Sequence, residues 1–330
     1  MSERIAEVIE LNLEKCPNSD NLSIQKVEGF QLVVRTEDWK DHKLAVFIRA
    51  DEIVDTNRPE FSWLKQEGKE KHRVRTRKYL GMYYSHGILV PAPEGSIVGQ
   101  NLYEELGLEH YEPELEIDGV SFGKSSSVSG PVYWNSLSKY DIENGRSNKY
   151  NNMFVENELV YVTRKLHGCF VALTWDGEKL HVKSRNHWKS EGDNVFWNAV
   201  NSSPELVEFA KSRPNWLFCG EAYGQVQKGF HYDAAPGTVK IRLFDIRRSD
   251  YKYMSSTDFI ATCNFYNLPR VPHVGNIPYN FQNLCKIAED PCPLGCKVSE
   301  GIVIKPITER YDERLGRVVI KIVNPYYLSK

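Results

Sequence analysis

The chain has few cysteines, no long apolar run and almost no excess charge. Seven cysteines among 330 residues are odd in number and thinly spread. That argues against a disulfide-stapled scaffold and for reduced thiols in a cytoplasmic or other reducing compartment. No stretch reaches the roughly 18 apolar residues of a spanning helix. Residues 1–14 are charged and hold no signal-peptide core. The expectation is a protein with no membrane partner, acting as a monomer. A net charge of −2, from 42 Lys and Arg against 44 Asp and Glu, excludes a uniformly basic surface. Any polyanion must then be held by local stripes of cations. Also missing are a GxGxxG fingerprint, a GxxxxGK phosphate loop and internal repeats, so a nucleotide site has to be built by other means.

What is present reads as an α+β chain. Residues 24–27, 30–35, 44–49, 73–77 and 87–90 are short β-branched or aromatic runs between Gly, Asn, Asp and Pro signals. They suit a small β-barrel of OB type over residues 1–118, and an SH3-like barrel gives much the same pattern. Residues 119–131, GVSFGKSSSVSGP, are the clearest composition break and read as a linker. From 132 to 330, strand-like runs at 159–163, 180–184, 216–220, 239–244, 301–304 and 318–323 alternate irregularly with helical segments. The helices are expected at 204–212, with Ser203 as N-cap and Pro204 first, at 257–267 and at 280–288. Strands with interspersed helices and no βαβ rhythm indicate antiparallel sheets.

The segment Val162-Thr-Arg-Lys165-Leu-His-Gly168 puts one amine at the end of an alternating strand, with a glycine three residues on. Backbone can approach a ligand closely there. An amine is a nucleophile only when deprotonated, so other cations or a metal are expected to depress its pKa. Taken alone, the segment reads more readily as a surface lysine before a turn. Polar residues then recur in a fixed order: Ser184-Arg185-Asn186, Gly220-Glu221-Ala222-Tyr223-Gly224, Leu243-Phe244-Asp245-Ile246, Glu300-Gly301-Ile302-Val303-Ile304-Lys305 and Ile320-Lys321-Ile322.

This series resembles the nucleotidyltransferase motifs of the superfamily that holds ATP-dependent ligases and mRNA capping enzymes, and it spans residues 159–323. His167 before Gly168 resembles RNA ligases, where capping enzymes and DNA ligases usually carry aspartate. Only residues 322–330 follow Lys321, so the OB domain of those other classes is not expected behind it. A barrel in front resembles the RNA ligase family with an N-terminal OB module, as does Tyr140-Asp-Ile-Glu-Asn144.

The resemblance implies that Lys165 attacks ATP and carries AMP, and that Arg185 contacts ribose or phosphate. It further implies that Tyr223 stacks on adenine, Glu221 and Glu300 hold Mg²⁺ or Mn²⁺, and Lys321 reaches the α-phosphate. Phe244 and Lys305 stand in the same nucleotide-binding series. The substrate implied is RNA or an RNA-containing nicked duplex. The chain departs from the pattern at Val323, where a second lysine is common, with Lys305 or another cation as replacement. It departs again at Arg164, where glutamate is common.

Plainer readings stand beside these. Glu221 and Glu300 could be solvated strand charges and Tyr223 a core aromatic, while Phe244 reads more readily as core. Asp245 could orient a neighbouring cation. Arg73, Arg75 and Arg77 would share one face of a strand and make a phosphate track, or a charged edge strand. Cys285, Cys292 and Cys296 lack an evident fourth ligand for zinc and read as ordinary thiols. The alternatives to an RNA ligase are a DNA ligase or capping-type enzyme, or a non-catalytic OB-type binding protein on a ligase scaffold.

Overall fold

Residues 44–49, Leu-Ala-Val-Phe-Ile-Arg, are apolar at both parities of a strand, which requires cover on both faces. In the computed structural model the Leu44–Arg49 strand pairs antiparallel with Ala6–Glu10 and Gly87–Pro91. Val46 and Ile48 join one core with Ala6, Val8, Val54 and Phe61, and Ala45 and Phe47 join another with Phe30, Leu32 and Trp39. The structure describes residues 4–111, 126–134, 140–147, 150, 152–226, 229–296, 298–313 and 315–329. The chain forms two units: Ser2–Pro113 with Gly145–Asn151 and Val323–Lys330, and Glu114–Asn144 with Asn152–Ile322. Most of the stretch read as a linker lies outside the described residues. Ser127–Val128, at its end, pairs with Trp188–Lys189 as an edge strand.

In the first unit the strands expected at 30–35 and 44–49 have those bounds. The run at 73–77 does not form one strand. Lys71–Arg73 pairs with Glu52–Asp55, Arg77–Tyr79 pairs with Tyr83–Ser85, and Arg75 lies between. The in–out alternation survives the break: Val74 and Thr76 are buried, while Arg75 and Arg77 are exposed.

Among its described residues the second unit holds two large sheets and a two-stranded one, Tyr311–Asp312 with Gly316–Arg317. Six strands run in the order Ser127–Val128, Trp188–Lys189, Leu180–Ser184, Cys169–Trp175, Leu217–Gly224, Val239–Arg247. Five run in the order Glu143–Asn144, Ile320–Val323, Gly301–Pro306, Leu159–Lys165, His273–Pro278. Helices Val195–Asn201 and Pro204–Lys211 bury Phe196, Trp197, Leu206 and Phe209 on one face of the six-stranded sheet, against Phe218, Ala222 and Ile241. Asn194 caps the first helix by accepting from the Phe196 and Trp197 N–H groups. Ser203 makes no such cap bond, so the expected cap of the second helix is positional only.

A buried ionic cluster joins the two sheets. Asp245 of the six-stranded sheet accepts from Lys305 Nζ of the five-stranded sheet at 2.7 Å and from both terminal nitrogens of Arg317 at 2.7 and 2.8 Å. Tyr140 donates to the same carboxylate, and Glu309 holds the far side of Arg317 at 2.6 Å. Burial alone would raise the Asp245 pKa, but Arg317 and Lys305 outweigh it and hold the group well below the ordinary carboxylate range. Asp245→Asn leaves two buried cations short of charge. It should cost about 3–5 kcal/mol in urea unfolding. Because the folded pKa is depressed, the stabilisation is present above the unfolded-state value of about 3.9 and is lost as pH falls through the folded value. Wild-type melting temperature should therefore fall more steeply towards acid than that of the Asn variant. Parallel curves would contradict the role given to this cluster.

Candidate active site

The chain crosses from one sheet to the other at Leu166-His167-Gly168, and the candidate residues converge there. Lys165 ends the Leu159–Lys165 strand, directly opposite Gly301 of the neighbouring strand. Glu300 immediately precedes Gly301, which places its carboxylate on the lysine: Nζ donates to Oε1 at 2.6 Å. Gly168 then enters the six-stranded sheet beside the strand that carries Glu221. A Cβ on Gly168 would lie 2.2 Å from Ala222 O and 3.0 Å from Glu221 Cγ. The glycine is thus required by the close approach of two strands rather than by a left-handed turn. Its N–H donates to the Glu221 carboxylate.

Lys321 comes in on the adjacent strand. Its neighbours Glu143 and Asn144 pair in parallel with Ile320 and Lys321, so the Tyr140–Asn144 segment becomes one wall of the site. Asp141 of that wall accepts from Arg185 Nη2 at 2.8 Å. Lys165, Glu221, Glu300, Lys321 and Arg185 therefore form one electrostatic group, as the sequence order implies.

The charges act on each other strongly because Glu300 is buried and Lys165, Glu221 and Lys321 are half-buried, with Arg185 at the exposed side. Burial would lower the Lys165 pKa, yet Glu300 and Glu221 prevail and raise it. The expected depression is therefore not found: in this state the amine is a locked ammonium. Burial first, and Glu300 next among the raising influences, push the Glu221 carboxyl up to about 8 against the pull of Lys165. Burial, aided by Lys165, lowers the Lys321 pKa.

Other residues fall elsewhere. Tyr223 is 1% exposed, packed among Leu166, Val271 and Cys292. Its hydroxyl donates to Asp233 at 2.8 Å and accepts from Arg242 at 3.0 Å. No ring face is left for a base, which corrects the stacking role. Phe244 is instead half-buried in an aromatic group with Tyr140 and Phe170, at ring distances of 5.1 and 6.1 Å. Lys305 belongs to Asp245 and to Phe244 O, at 2.6 Å from the latter, so it does not replace a second motif lysine at buried Val323. Arg164 points away from the site and donates to Ile287 O at 2.6 Å, at the C-terminal end of helix Phe281–Glu289. Arg73 is held by Asp51 at 2.6 Å and lies 3.5 Å from the Tyr111 ring, so it is no open phosphate contact.

Sequence reasoning missed Tyr232. Its hydroxyl accepts the His167 N–H at 2.7 Å, and its backbone is left-handed at φ 52°. No motif position signals this, although a bulky residue held at positive φ is a recognised mark of functional strain. Among the described residues no cluster of three or more His, Cys, Asp or Glu is placed to hold a metal, and the seven cysteines are free thiols.

Residues 158–323, half of the chain, match the RNA ligase family, and residues 5–92 match an OB-fold domain. This chain belongs to the RNA ligase family. No curated protein sequence matches it significantly. Its fold is that of solved Naegleria gruberi RNA ligase structures. An apo variant gives a TM-score of 0.77 at 20% identity over 99% of this chain and 98% of that one. A variant with ATP and Mn gives 0.75 at 19% identity over 98% and 97%. One with AMP and Mn gives 0.76 at 20% identity over 99% and 98%. Among the described residues no helix is long and apolar enough to cross a membrane.

Gly168→Ala should separate Lys165 from Glu221 and cut RNA joining by about a hundredfold, since displacements near 1 Å cost that much. Unchanged joining would mean that the close strand approach is not required.

Proposed function

We propose that this RNA ligase is ATP-dependent and works through AMP carried on Lys165, before passing it to a 5′-phosphate and joining that end to a 3′-OH at nicks in RNA-containing duplexes. The observation that carries the reading is the Lys165 amine, 2.6 Å from Glu300 and in one electrostatic group with Glu221, Arg185 and Lys321.

Glu221 and Glu300 fit a divalent cation. Glu300 Oε2 is buried without a hydrogen-bond partner, and burial, with Glu300 beside it, pushes the Glu221 carboxyl up to about 8 despite Lys165, Arg185 and the Gly168 N–H. Two carboxylates, completed by water and phosphate oxygens, suit Mg²⁺ or Mn²⁺ better than an all-protein cage would. When bound, such an ion would neutralise the carboxylates and clamp phosphate oxygens, which favours the neutral form of the lysine.

The remaining chemistry belongs to the protein's own groups. Lys165 Nζ, once deprotonated, forms a P–N bond to the α-phosphorus while the bond to pyrophosphate breaks. Lys321 and Arg185 supply donors to the phosphate oxygens where charge develops. Arg185 takes part of the work of the absent second lysine at Val323. Tyr140, Phe170 and Phe244 offer the aromatic surface for adenine. Joining then needs both RNA ends aligned, for which Arg75 and Arg77 provide salt-sensitive phosphate contacts.

Incubation with radiolabelled ATP and Mn²⁺, followed by a denaturing gel, should label the wild-type band. Labelled GTP should leave it dark. Lys165→Ala and Lys165→Arg should abolish the band, since a guanidinium is no nucleophile at accessible pH. Glu221→Ala and Glu300→Ala should weaken it about a hundredfold and raise the metal concentration needed. A labelled Lys165→Ala protein would move the nucleophile elsewhere and sink the assignment.

A further inference from the structure

The hairpin between Arg77–Tyr79 and Tyr83–Ser85 combines features that no part of the catalytic chemistry uses. The Met82 N–H donates to Tyr79 O at 3.1 Å, closing a turn in which Leu80 and Gly81 are both left-handed, at φ 50° and 71°. Such turns are ordinarily made with Asn-Gly or Asp-Gly. Here the first position is a leucine, and a bulky side chain at positive φ is rare. The strain gains little in packing, because Leu80 is 49% exposed and Met82 56%, with Asn18 Nδ2 at 3.2 Å from the Met82 sulfur. A polar residue or glycine would serve the turn better. The apolar tip must therefore be kept for something outside the chain.

The surroundings indicate what that is. Behind the tip lie the half-buried rings of Tyr79, Tyr83 and Tyr84, and Lys78 Nζ sits 5.2 Å from the Tyr84 ring centroid. Among the described residues Lys69, Arg75, Arg77 and Lys78 make no ion pair, whereas their neighbours Lys71 and Arg73 are matched by Glu109 and Asp51. His72 is held below its ordinary pKa by burial and then by Arg77, Arg75 and Lys69, so these cations share one field. Unmatched cations beside rings and an apolar tip complement a polyanion with flat apolar faces.

We propose that the Arg77–Ser85 hairpin is an RNA-contacting element whose tip, Leu80 and Met82, packs against an unstacked base while Arg75, Arg77 and Lys78 hold the adjoining phosphates. The inference deepens the ligase reading and rests on it for the identity of the nucleic acid. A nick is where a duplex loses stacking most easily, because only one strand is continuous there. An apolar wedge at that step replaces the lost stacking contact.

The two parts of the hairpin are separable by their physics. Phosphate contacts release counterions and set the salt slope of binding, whereas apolar contacts leave that slope unchanged. The full-length protein is titrated into a nicked RNA duplex carrying 2-aminopurine at the nick and fluorescein at one end. Wild type should bind with a rise in 2-aminopurine fluorescence. The double variant Leu80→Gly, Met82→Ser should bind about tenfold more weakly, lose the fluorescence rise and keep the salt slope. Glycine relieves the left-handed strain, so its urea midpoint should equal or exceed that of wild type. Arg75→Ser with Arg77→Ser should instead flatten the salt slope by about two. The tip variant should still take label from ATP. A tip variant with wild-type affinity and fluorescence response would overturn the proposal. Loss of the labelled band in wild type would overturn the ligase reading while leaving the tip's RNA contact standing.

Discussion

Lys165 Nζ and Glu300 Oε1, 2.6 Å apart and partly buried, form the contact on which the rest of the site depends. Two opposed demands meet in it. Folding needs the ammonium paired, because an unpaired buried charge is costly. Chemistry needs the same nitrogen as a neutral amine. The second carboxylate, Glu221, reinforces the paired state, and burial and Arg185 oppose it. The resting site is therefore a locked one, released when positive charge arrives at the carboxylates. The orphaned oxygen of Glu300 marks where that charge belongs.

The pocket keeps its shape because the sheets that build it are tied at a second place. Asp245 with Lys305, Arg317 and Tyr140 is a buried set in which each charge has a partner. It fixes the Gly301–Pro306 strand against the Val239–Arg247 strand, and hence Glu300 against the neighbourhood of Glu221. A buried ionic group of this kind is weak evidence for net stability, since apolar residues could pack as well. Its value lies in register: a one-residue slip would move Glu300 to the far face of its strand. The same Tyr140–Asn144 segment feeds both clusters, through Tyr140 to Asp245 and through Asp141 to Arg185.

Much of this was legible in the sequence, for identifiable reasons. The strands at 30–35, 44–49 and 180–184 carry enough β-branched and aromatic residues between breakers to fix both ends. Lys165, Arg185, Glu221, Glu300 and Lys321, singled out by their order in the sequence, lie in one electrostatic group in the structure. What could not be read was the direction of individual side chains in three dimensions. Tyr223 and Lys305 stand near Glu221 and Glu300 in sequence, yet one is sealed by Asp233 and Arg242 and the other belongs to Asp245. Cys169–Trp175 was missed because its run continues straight from the motif, and only the glycine's contact with Ala222 shows where one strand stops and the next begins. Arg73, Arg75 and Arg77 do alternate with buried residues, but Asp51, distant in sequence, takes Arg73 out of the phosphate track.

The claim that Lys165 is the group released from its carboxylates to bond with AMP can be tested at the level of a single atom. The protein is incubated with ATP and Mn²⁺, digested, and the peptides are mapped by mass spectrometry for an acid-labile AMP adduct. The account predicts the adduct on the peptide containing Lys165, on no other lysine, and its disappearance when a chelator replaces the metal. An adduct on Lys321 or Lys305, or one that forms equally well without divalent cation, would contradict it.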